Sequence, residues 1–334
     1  MAFGRILDFS LTPVKLRMRN RQLKVMDGET ERDSVPIDDI AVVVLSHPQI
    51  SVSLALLQQL FDADVAVVVC DQKSIPNGLC LPLYSYHAGA QRTRLQIEAS
   101  SDKPLVKRIW RQIVKHKIKN QAQLLQSLFQ DDAGLLELYK SVKSGDSDNR
   151  ESVAARRYWA RLFEGSNFKR DYNGEDPVNA ALNYGYSILR AIVARSVVAG
   201  GLCASLGVAH RSKYNGFALA DDLIEPFRPV VDCCVYGLLG EDKLDKELTP
   251  SVKGRLLRQI TGRYLVNGNQ ETIFETSTKA VESLIHVFQR ESFEIVFPTR
   301  LPFEPVDSFY LPIKKKKERI EKKREEKQTK KPPF

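Results

Sequence analysis

The arrangement of apolar residues changes once along this chain, and that change constrains the fold more than any other feature. Up to about residue 85 apolar side chains recur at every second position, and beyond it they recur at helical spacing. Residues 14–19 alternate apolar with basic side chains, which is typical of a half-buried strand, and residues 22–26 are the expected hairpin partner across Asn20 and Arg21. Three further strands and one short helix are predicted at 5–9, 41–45, 65–70 and 56–61.

Loop-forming residues mark the boundary between the two patterns. They are Pro76, Asn77, Gly78 and Pro82. Seven helices are predicted after them, at 104–128, 133–143, 151–163, 178–200, 226–240, 250–262 and 274–291. The prediction is an α+β fold, with a small N-terminal β-sheet domain over residues 1–85, a linker over 86–103 and a larger all-α domain over 104–305. Residues 306–334 form a basic tail that is predicted to be disordered or a solvated helix.

The net charge of +9 indicates a polyanionic partner, but its distribution qualifies that inference. The segment from Lys314 to Lys331 holds 11 Lys or Arg and 4 Glu, so most of the excess lies in the tail. The remainder of the chain is nearly neutral. We therefore expect the folded part to contact nucleic acid through local patches.

Several classes of protein lack support in the sequence. The five cysteines include no CxxC pair, which argues against a disulfide scaffold or a zinc ribbon and favours a reducing, cytoplasmic compartment. The apolar stretch 188–202 is too short to span a bilayer and contains two arginines, so no membrane segment is expected. No phosphate-binding GK[ST] loop and no GxSxG motif occur, so neither ATP hydrolysis nor covalent hydrolase chemistry is indicated.

Two candidate site residues have plausible structural explanations when each is taken alone. Glu151 stands in the first turn of a predicted helix, three residues after Asp148, and a capping box is the favoured interpretation of that segment. His210 follows a helix broken by Gly200 and Gly201, where a lone histidine is more often structural than a ligand.

A pair of carboxylates is harder to explain in this way. Asp222 and Glu225 are three residues apart, so on a helix they would share one face among apolar neighbours. Like charges so placed repel each other, and a divalent cation between or beside them would relieve the repulsion. Pro226 and Pro229 indicate that a helix begins or bends at this point. A set of carboxylates and one imidazole suits Mg²⁺ or Mn²⁺, with the imidazole favouring Mn²⁺.

Five segments together resemble the Cas-one family of CRISPR adaptation, in the branch that accompanies the RNA-guided nuclease Cas nine. In chain order they are Asn149-Arg150-Glu151, Ala154 to Tyr158, Asn179 to Tyr186, His210, and Asp222 to Pro229. The likeness runs from the N-terminal sheet to about residue 305. Ser152 departs from the glycine found in many members, and the basic tail is an extension that the family does not require.

The resemblance implies a site and an activity. It makes Glu151, His210 and Glu225 the catalytic metal ligands, with Asp222 as a nearby supporting carboxylate and Mg²⁺ or Mn²⁺ as cofactor. The helical domain would then be a metal-dependent endonuclease and integrase that inserts short duplex DNA into a CRISPR repeat by transesterification. The sequence does not decide between two roles for His210: it could be a metal ligand, or a general acid that gives a proton to the leaving oxygen.

Partners follow from the same resemblance. It implies a homodimer that binds double-stranded DNA, both prespacer and repeat, and that is bridged by a Cas-two dimer, with Cas nine and other adaptation proteins as further candidates. Residues expected to contact DNA phosphates near the site are Lys169, Arg170, Arg211, Lys213 and Arg228. Two rival functions remain: a non-catalytic scaffold that bridges DNA, and a structure-selective repair nuclease that cuts branched DNA without joining it.

Overall fold

The structure is a computed structural model, and its order of elements confirms the predicted α+β fold. It describes residues 4–10, 12–72, 76–83, 89–166, 168–172, 174, 176–210, 212–245, 248–262, 264–266, 269–298 and 301. The predicted basic tail and Arg211 lie outside these residues. Among the described helices, none has both the length and the apolar character needed to cross a membrane.

Strands dominate the first part of the chain. They are β1 (Arg5–Phe9), β2 (Lys15–Arg19), β3 (Gln22–Asp27), β4 (Thr30–Pro36), β5 (Ile40–Leu45), β6 (Ser51–Val52), β7 (Ala66–Cys70) and β8 (Pro76–Cys80), with helix α1 (Leu54–Asp62) between β6 and β7. They form two four-stranded sheets, with strand orders β1-β5-β7-β8 and β4-β3-β2-β6. The predicted hairpin is confirmed as β2 and β3, and its turn residues Asn20 and Arg21 both have positive φ, as a tight hairpin turn requires.

The first sheet has a buried core on each face. Strands β1, β5 and β7 run parallel, and successive side chains of β5 point to opposite faces. Val43 packs into a small core between the two sheets, whereas Val42 and Val44 pack into a larger core shared with the helices. This explains why β5 is a continuous apolar run and not an alternating one.

Two segments differ from the sequence prediction. Pro76, Asn77 and Gly78, predicted as a loop, begin strand β8, which pairs antiparallel with β7 at the edge of the sheet. The first position of an edge strand tolerates proline because the missing N–H is not needed there. Within the predicted linker, residues 89–101 form a helix. The bounds proposed for the domains stay a prediction, and the larger core joins residues from both sides of the proposed boundary.

Helices make up most of the remainder. They are α2 (Gly89–Ser101), α3 (Lys103–Phe129), α4 (Leu135–Ser141), α5 (Arg150–Leu162), α6 (Pro177–Ala199), α7 (Ala218–Ile224), α8 (Pro229–Gly240), α9 (Pro250–Thr261) and α10 (Ile273–Phe288), with a short hairpin of β9 (Tyr264–Val266) and β10 (Asn269–Glu271) before α10. Helix α6 is central, since it packs against α7, α8, α9, α10 and β7. The predicted helix start near Pro229 is confirmed, because a 3₁₀ turn over Glu225–Phe227 separates α7 from α8.

Candidate metal centre

Helix α3 contributes residues that contact the other segments of the candidate site. One stripe of α3 follows Ile113, Lys117, Asn120 and Leu124, which are spaced by about one helical turn; Lys117 is half-buried and the other three are buried. Two of these four positions are polar, although the stripe is otherwise apolar. The Asn120 side chain donates a hydrogen bond of 2.7 Å to the carbonyl oxygen of Pro226, which fixes the 3₁₀ turn against α3. The Lys117 ammonium points toward the predicted ligands.

The first turn of α5 presents Glu151, and the predicted capping box is wrong. Asp146, not Asp148, caps this helix: its carboxylate accepts hydrogen bonds from the backbone N–H of Arg150 at 2.8 Å and of Glu151 at 3.1 Å. Asp148 instead pairs with Lys143 at 3.0 Å. Because Asp146 satisfies the free N–H groups of the helix terminus, the Glu151 side chain is available for another role.

The cap can be tested through two neighbouring aspartates. We expect Asp146→Ala to lower the free energy of unfolding by about 1–2 kcal/mol, because the partly buried backbone N–H groups of Arg150 and Glu151 lose their acceptor. Asp148→Ala is the matched control, and its stability should match that of the unaltered protein. Urea unfolding followed by circular dichroism measures both. Equal losses in the two variants would contradict the assignment of the cap to Asp146.

Glu225 is held between two cations on the 3₁₀ turn. Its side chain is 5% exposed, and Lys117 Nζ lies 2.7 Å from Oε2 while Arg228 Nε lies 3.0 Å from Oε1. Burial alone would raise the pKa of this carboxyl, but Arg228 and Lys117 outweigh burial and lower the pKa to about 2. Glu225 is therefore a carboxylate at neutral pH.

Asp222 has partners that are separate from those of Glu225. Its buried carboxylate accepts hydrogen bonds from the backbone N–H groups of Val208, Ala209 and His210, and one oxygen lies 2.7 Å from His210 Nδ1. Four donors thus satisfy this charge without a cation. The close approach of the turn requires Gly207, since a Cβ there would lie 2.4 Å from the His210 carbonyl oxygen.

His210 is oriented by Asp222. The hydrogen bond from Nδ1 directs Nε2 away from the carboxylate, and the edge of the ring contacts Trp110 in a T-shaped arrangement with centroids 6.3 Å apart. The hydrogen bond to Asp222 raises the pKa of the imidazole against the opposing effect of burial. Histidines that bind metals are commonly held in this way, with one ring nitrogen on a carboxylate and the other free to coordinate.

The Lys117 ammonium joins two of the three predicted ligands. It lies 2.6 Å from Glu151 Oε1 and 2.7 Å from Glu225 Oε2, with the lysine side chain 14% exposed. Burial alone would lower the pKa of Lys117, but the two carboxylates outweigh it and raise the pKa above its ordinary value. The structure thus brings Glu151 and Glu225 together around one positive charge and places His210 on Asp222.

The two carboxylates and the imidazole have the chemistry that a divalent cation prefers, but in the structure they do not surround a common point. Among the described residues, no three His, Cys, Asp or Glu side chains stand close enough together to hold a metal ion. The ammonium nevertheless marks a point where two carboxylates converge on a cation, and carboxylate oxygen with imidazole nitrogen is a set suited to Mg²⁺ or Mn²⁺. Glu151, Glu225 and His210 remain the candidate ligands.

A buried network supports Arg228. Its guanidinium lies 4.4 Å from the centre of the Tyr186 ring, and the Tyr186 hydroxyl donates a hydrogen bond to Asp232. Tyr158 donates a second hydrogen bond of 2.7 Å to the same carboxylate. Burial raises the pKa of Asp232 to about 6, against the opposing effect of the two tyrosine hydroxyls. The network connects α5, α6 and α8 behind Glu225.

The residues predicted to contact DNA differ in whether their side chains are exposed or already bound to other residues of the chain. Lys169 and Lys213 are exposed. Arg170 donates hydrogen bonds to the amide oxygens of Asn179 at 2.8 Å and Asn183 at 2.6 Å, so it is held in place on α6. Arg228 is half-buried against Glu225 and acts in the structure as a partner of that carboxylate. A role for any of them in binding DNA stays a prediction.

Sequence reasoning missed the supporting residues Lys117, Asn120 and Asp146. A signal for the first two was present, since each interrupts the apolar stripe of α3 at a position that should be buried. Asp146 gave a weaker signal, because three other residues of the preceding loop could equally have capped the helix. They are Ser144, Ser147 and Asp148.

Comparison with known proteins places the chain in context. A family model described as "CRISPR associated protein Cas1" matches residues 11–267. A relative from Neisseria meningitidis serogroup C (strain 8013), named CRISPR-associated endonuclease Cas1, is 37% identical over 277 residues, which make up 82% of this chain and 88% of the relative.

Two solved structures share the fold. A casposase bound to an integration product aligns with a TM-score of 0.73 and 20% identity, over 91% of this chain and 96% of that chain. A chain of a Cas6-RT-Cas1–Cas2 complex aligns with a TM-score of 0.71 and 18% identity, over 88% of this chain and 36% of that chain. At such identities these two likenesses show the fold alone.

Proposed function

The chain belongs to the Cas1 family of CRISPR-associated proteins, and from that membership we propose that it is a divalent-metal-dependent enzyme that inserts short duplex DNA into a CRISPR repeat. The observation that carries the proposal is the convergence of Glu151 and Glu225, from separate segments, on a single positive charge. A scaffold that only bridged DNA would have no need to place the buried Glu225 and the half-buried Glu151 on one cation, because buried charges are costly unless they are paired.

The proposed reaction conserves the number of phosphodiester bonds. A 3′-hydroxyl of the incoming duplex attacks a phosphorus atom of the repeat, a new P–O bond forms, and the bond to the departing 3′-oxygen breaks. That oxygen leaves with a proton, while the attacking hydroxyl loses one. With water as the nucleophile the same site would cut DNA without joining it, which agrees with the endonuclease name of the Neisseria meningitidis relative.

The candidate ligands Glu151, Glu225 and His210 would hold Mg²⁺ or Mn²⁺. When bound, the ion supplies charge neutralisation at the scissile phosphate and activation of the attacking hydroxyl. Asp222 orients the His210 ring, whether His210 acts as a ligand or gives a proton to the leaving oxygen. Arg228 holds Glu225 in its charged form and in place.

The proposed partners are double-stranded DNA, a second copy of the chain and a Cas2 dimer. The casposase bound to an integration product and the complex of Cas1 with Cas2 support DNA and Cas2, because both share the fold of this chain. The exposed Lys169 and Lys213 are proposed to contact DNA phosphates. The identity with the Neisseria meningitidis protein is consistent with the branch that accompanies Cas nine.

A joining assay tests the proposal. The protein is incubated with a supercoiled plasmid that carries the repeat, a labelled DNA duplex, the Cas2 partner and Mn²⁺ or Mg²⁺. We expect label to enter the plasmid with either ion and no label to enter in EDTA. Cleavage without joining would favour the repair nuclease instead, and DNA binding without any bond breakage would favour the scaffold.

A further inference from the structure

Lys117 Nζ lies between Glu151 and Glu225, 2.6 Å from Oε1 of the first and 2.7 Å from Oε2 of the second. We infer that the Lys117 ammonium is a resident counter-ion which a divalent cation must displace from these two carboxylates, so that this lysine sets the metal affinity of the site. The inference rests on the proposed metal-dependent function. It adds that metal binding is an exchange of one cation for another within the folded protein.

The contacts of Glu225 show why an exchange is required. Both of its oxygens are engaged, Oε1 by Arg228 Nε at 3.0 Å and Oε2 by Lys117 Nζ at 2.7 Å. The residue is 4% exposed, so no open side of the carboxylate faces solvent. A divalent cation binds carboxylate oxygen at about 2.0–2.2 Å and cannot share an oxygen with an ammonium at hydrogen-bonding distance without strong repulsion.

Lys117 is the cation that can leave. Arg228 is stacked 4.4 Å from the Tyr186 ring and lies three residues from Glu225 on the same turn, so its position is fixed from two sides. The lysine ammonium stands at the end of a flexible four-carbon stem and is a compact charge that rotates freely. Its two short contacts are both to carboxylates that the metal would claim. Exchange therefore requires the Lys117 side chain on α3 to leave the two carboxylates by a change of rotamer.

The resident ammonium has two opposite effects. Without metal it stabilises the fold, because it pairs with the buried Glu225 and the half-buried Glu151, two like charges that would otherwise lie close together with less compensation. With metal it is a competitor, because its interaction with both carboxylates must be broken first. Removal of the Lys117 charge should therefore lower the stability of the metal-free protein and, at the same time, raise its affinity for a divalent metal ion. A lysine that served only as packing would produce the first effect without the second.

Mn²⁺ binding to the full chain tests this inference without any DNA. We would compare the unaltered protein with Lys117→Met, which keeps the length of the side chain and removes its charge, by isothermal titration with Mn²⁺ and by thermal unfolding in EDTA and in Mn²⁺. We expect Lys117→Met to bind Mn²⁺ about tenfold more tightly or better, since about 1.4 kcal/mol of lost competition gives that factor. We expect its Tm in EDTA to fall by roughly 5 °C or more, and Mn²⁺ to raise it by more than it raises the Tm of the unaltered protein.

Lys119→Met is the matched control. Lys119 lies on the same helix and, among the described residues, forms no ion pair with a carboxylate, so its Mn²⁺ affinity should equal that of the unaltered protein. Should Lys117→Met not fold in EDTA, Lys117→Gln retains a hydrogen-bond donor without the charge and should also bind Mn²⁺ more tightly. Equal or weaker Mn²⁺ binding by the folded Lys117 variant would overturn the inference.

Failure of the proposed function has a separate signature. Mn²⁺ binding to the unaltered protein that persists undiminished in Glu225→Ala would place the metal elsewhere and overturn both proposals. Binding that is lost in Glu225→Ala but unchanged in Lys117→Met would leave the metal site in place and overturn only the role of Lys117. Mn²⁺ binding by Lys117→Met and not by the unaltered protein would support the inference most strongly, because the ammonium would then prevent metal binding altogether.

Discussion

Replacing Glu225 by glutamine should reduce DNA joining by roughly 100- to 1,000-fold, which is the range expected when a single charged group that stabilises the transition state is removed. The carboxylate carries a charge that pairs with two cations, Lys117 and Arg228, in the structure. A glutamine at this position has one oxygen and one NH₂ group, so one of the two cations would face a donor. The substitution removes both the charge and half of the hydrogen-bond acceptors, although it preserves the size of the side chain.

The measurement is the initial rate of label entry into the repeat plasmid, with DNA binding followed separately by fluorescence anisotropy. Binding to the duplex should change little, because Glu225 is buried and contributes no positive surface charge. Glu241→Gln is the control: Glu241 also pairs with one Lys and one Arg, but on the surface near the end of α8, and its joining rate should be normal. A joining rate in Glu225→Gln within a few-fold of normal would remove this residue from the chemistry.

The helices and strands that the sequence predicted correctly have a clear pattern of apolar residues. Strand β5 and helix α6 are long apolar segments bounded by clear signals, and both were located to within one or two residues. Strand β4 was missed because its residues Thr30–Pro36 are mostly polar and pair at a sheet edge, where only Val35 is buried. Helix α2 was missed for a similar reason, since its Gln96 and Ala99 are its only buried residues and its composition gives little amphipathic pattern.

The candidate site shows a different limit of sequence reasoning. Glu151 and Glu225 were linked by the order of family motifs, whereas local pattern alone favoured a capping role for the first. The crowding argument for Asp222 and Glu225 expected a cation shared by the pair, whereas the structure gives each carboxylate its own partners. Lys117 could not be paired with them in advance, since the contact joins three segments that meet only in the tertiary fold.

Asp222 is the residue whose structural role most needs a test, and Asp222→Asn should damage both stability and joining. Its two oxygens accept hydrogen bonds from the backbone N–H groups of the turn before α7 and from His210 Nδ1. An asparagine would place an NH₂ group against one set of these donors and remove the charge. We expect the free energy of unfolding to fall by about 3 kcal/mol, and joining to fall by roughly 10- to 100-fold as the His210 ring loses its orientation.

Asp221→Asn separates these two effects because it alters the neighbouring buried carboxylate of α7, which pairs with Arg190 at 2.6 Å and, among the described residues, forms no hydrogen bond with His210 and acts on the imidazole through its charge. That variant should lose stability while joining stays within a few-fold of normal. The ¹⁵N chemical shifts of the His210 ring give a direct measure of orientation: the unaltered protein and Asp221→Asn should share one protonation pattern at Nδ1, and Asp222→Asn should lose it. Normal joining together with an altered ring signal would mean that the orientation of His210 is not needed for the reaction. Normal stability in Asp222→Asn would mean that the turn over residues 207–210 is held by contacts other than this carboxylate.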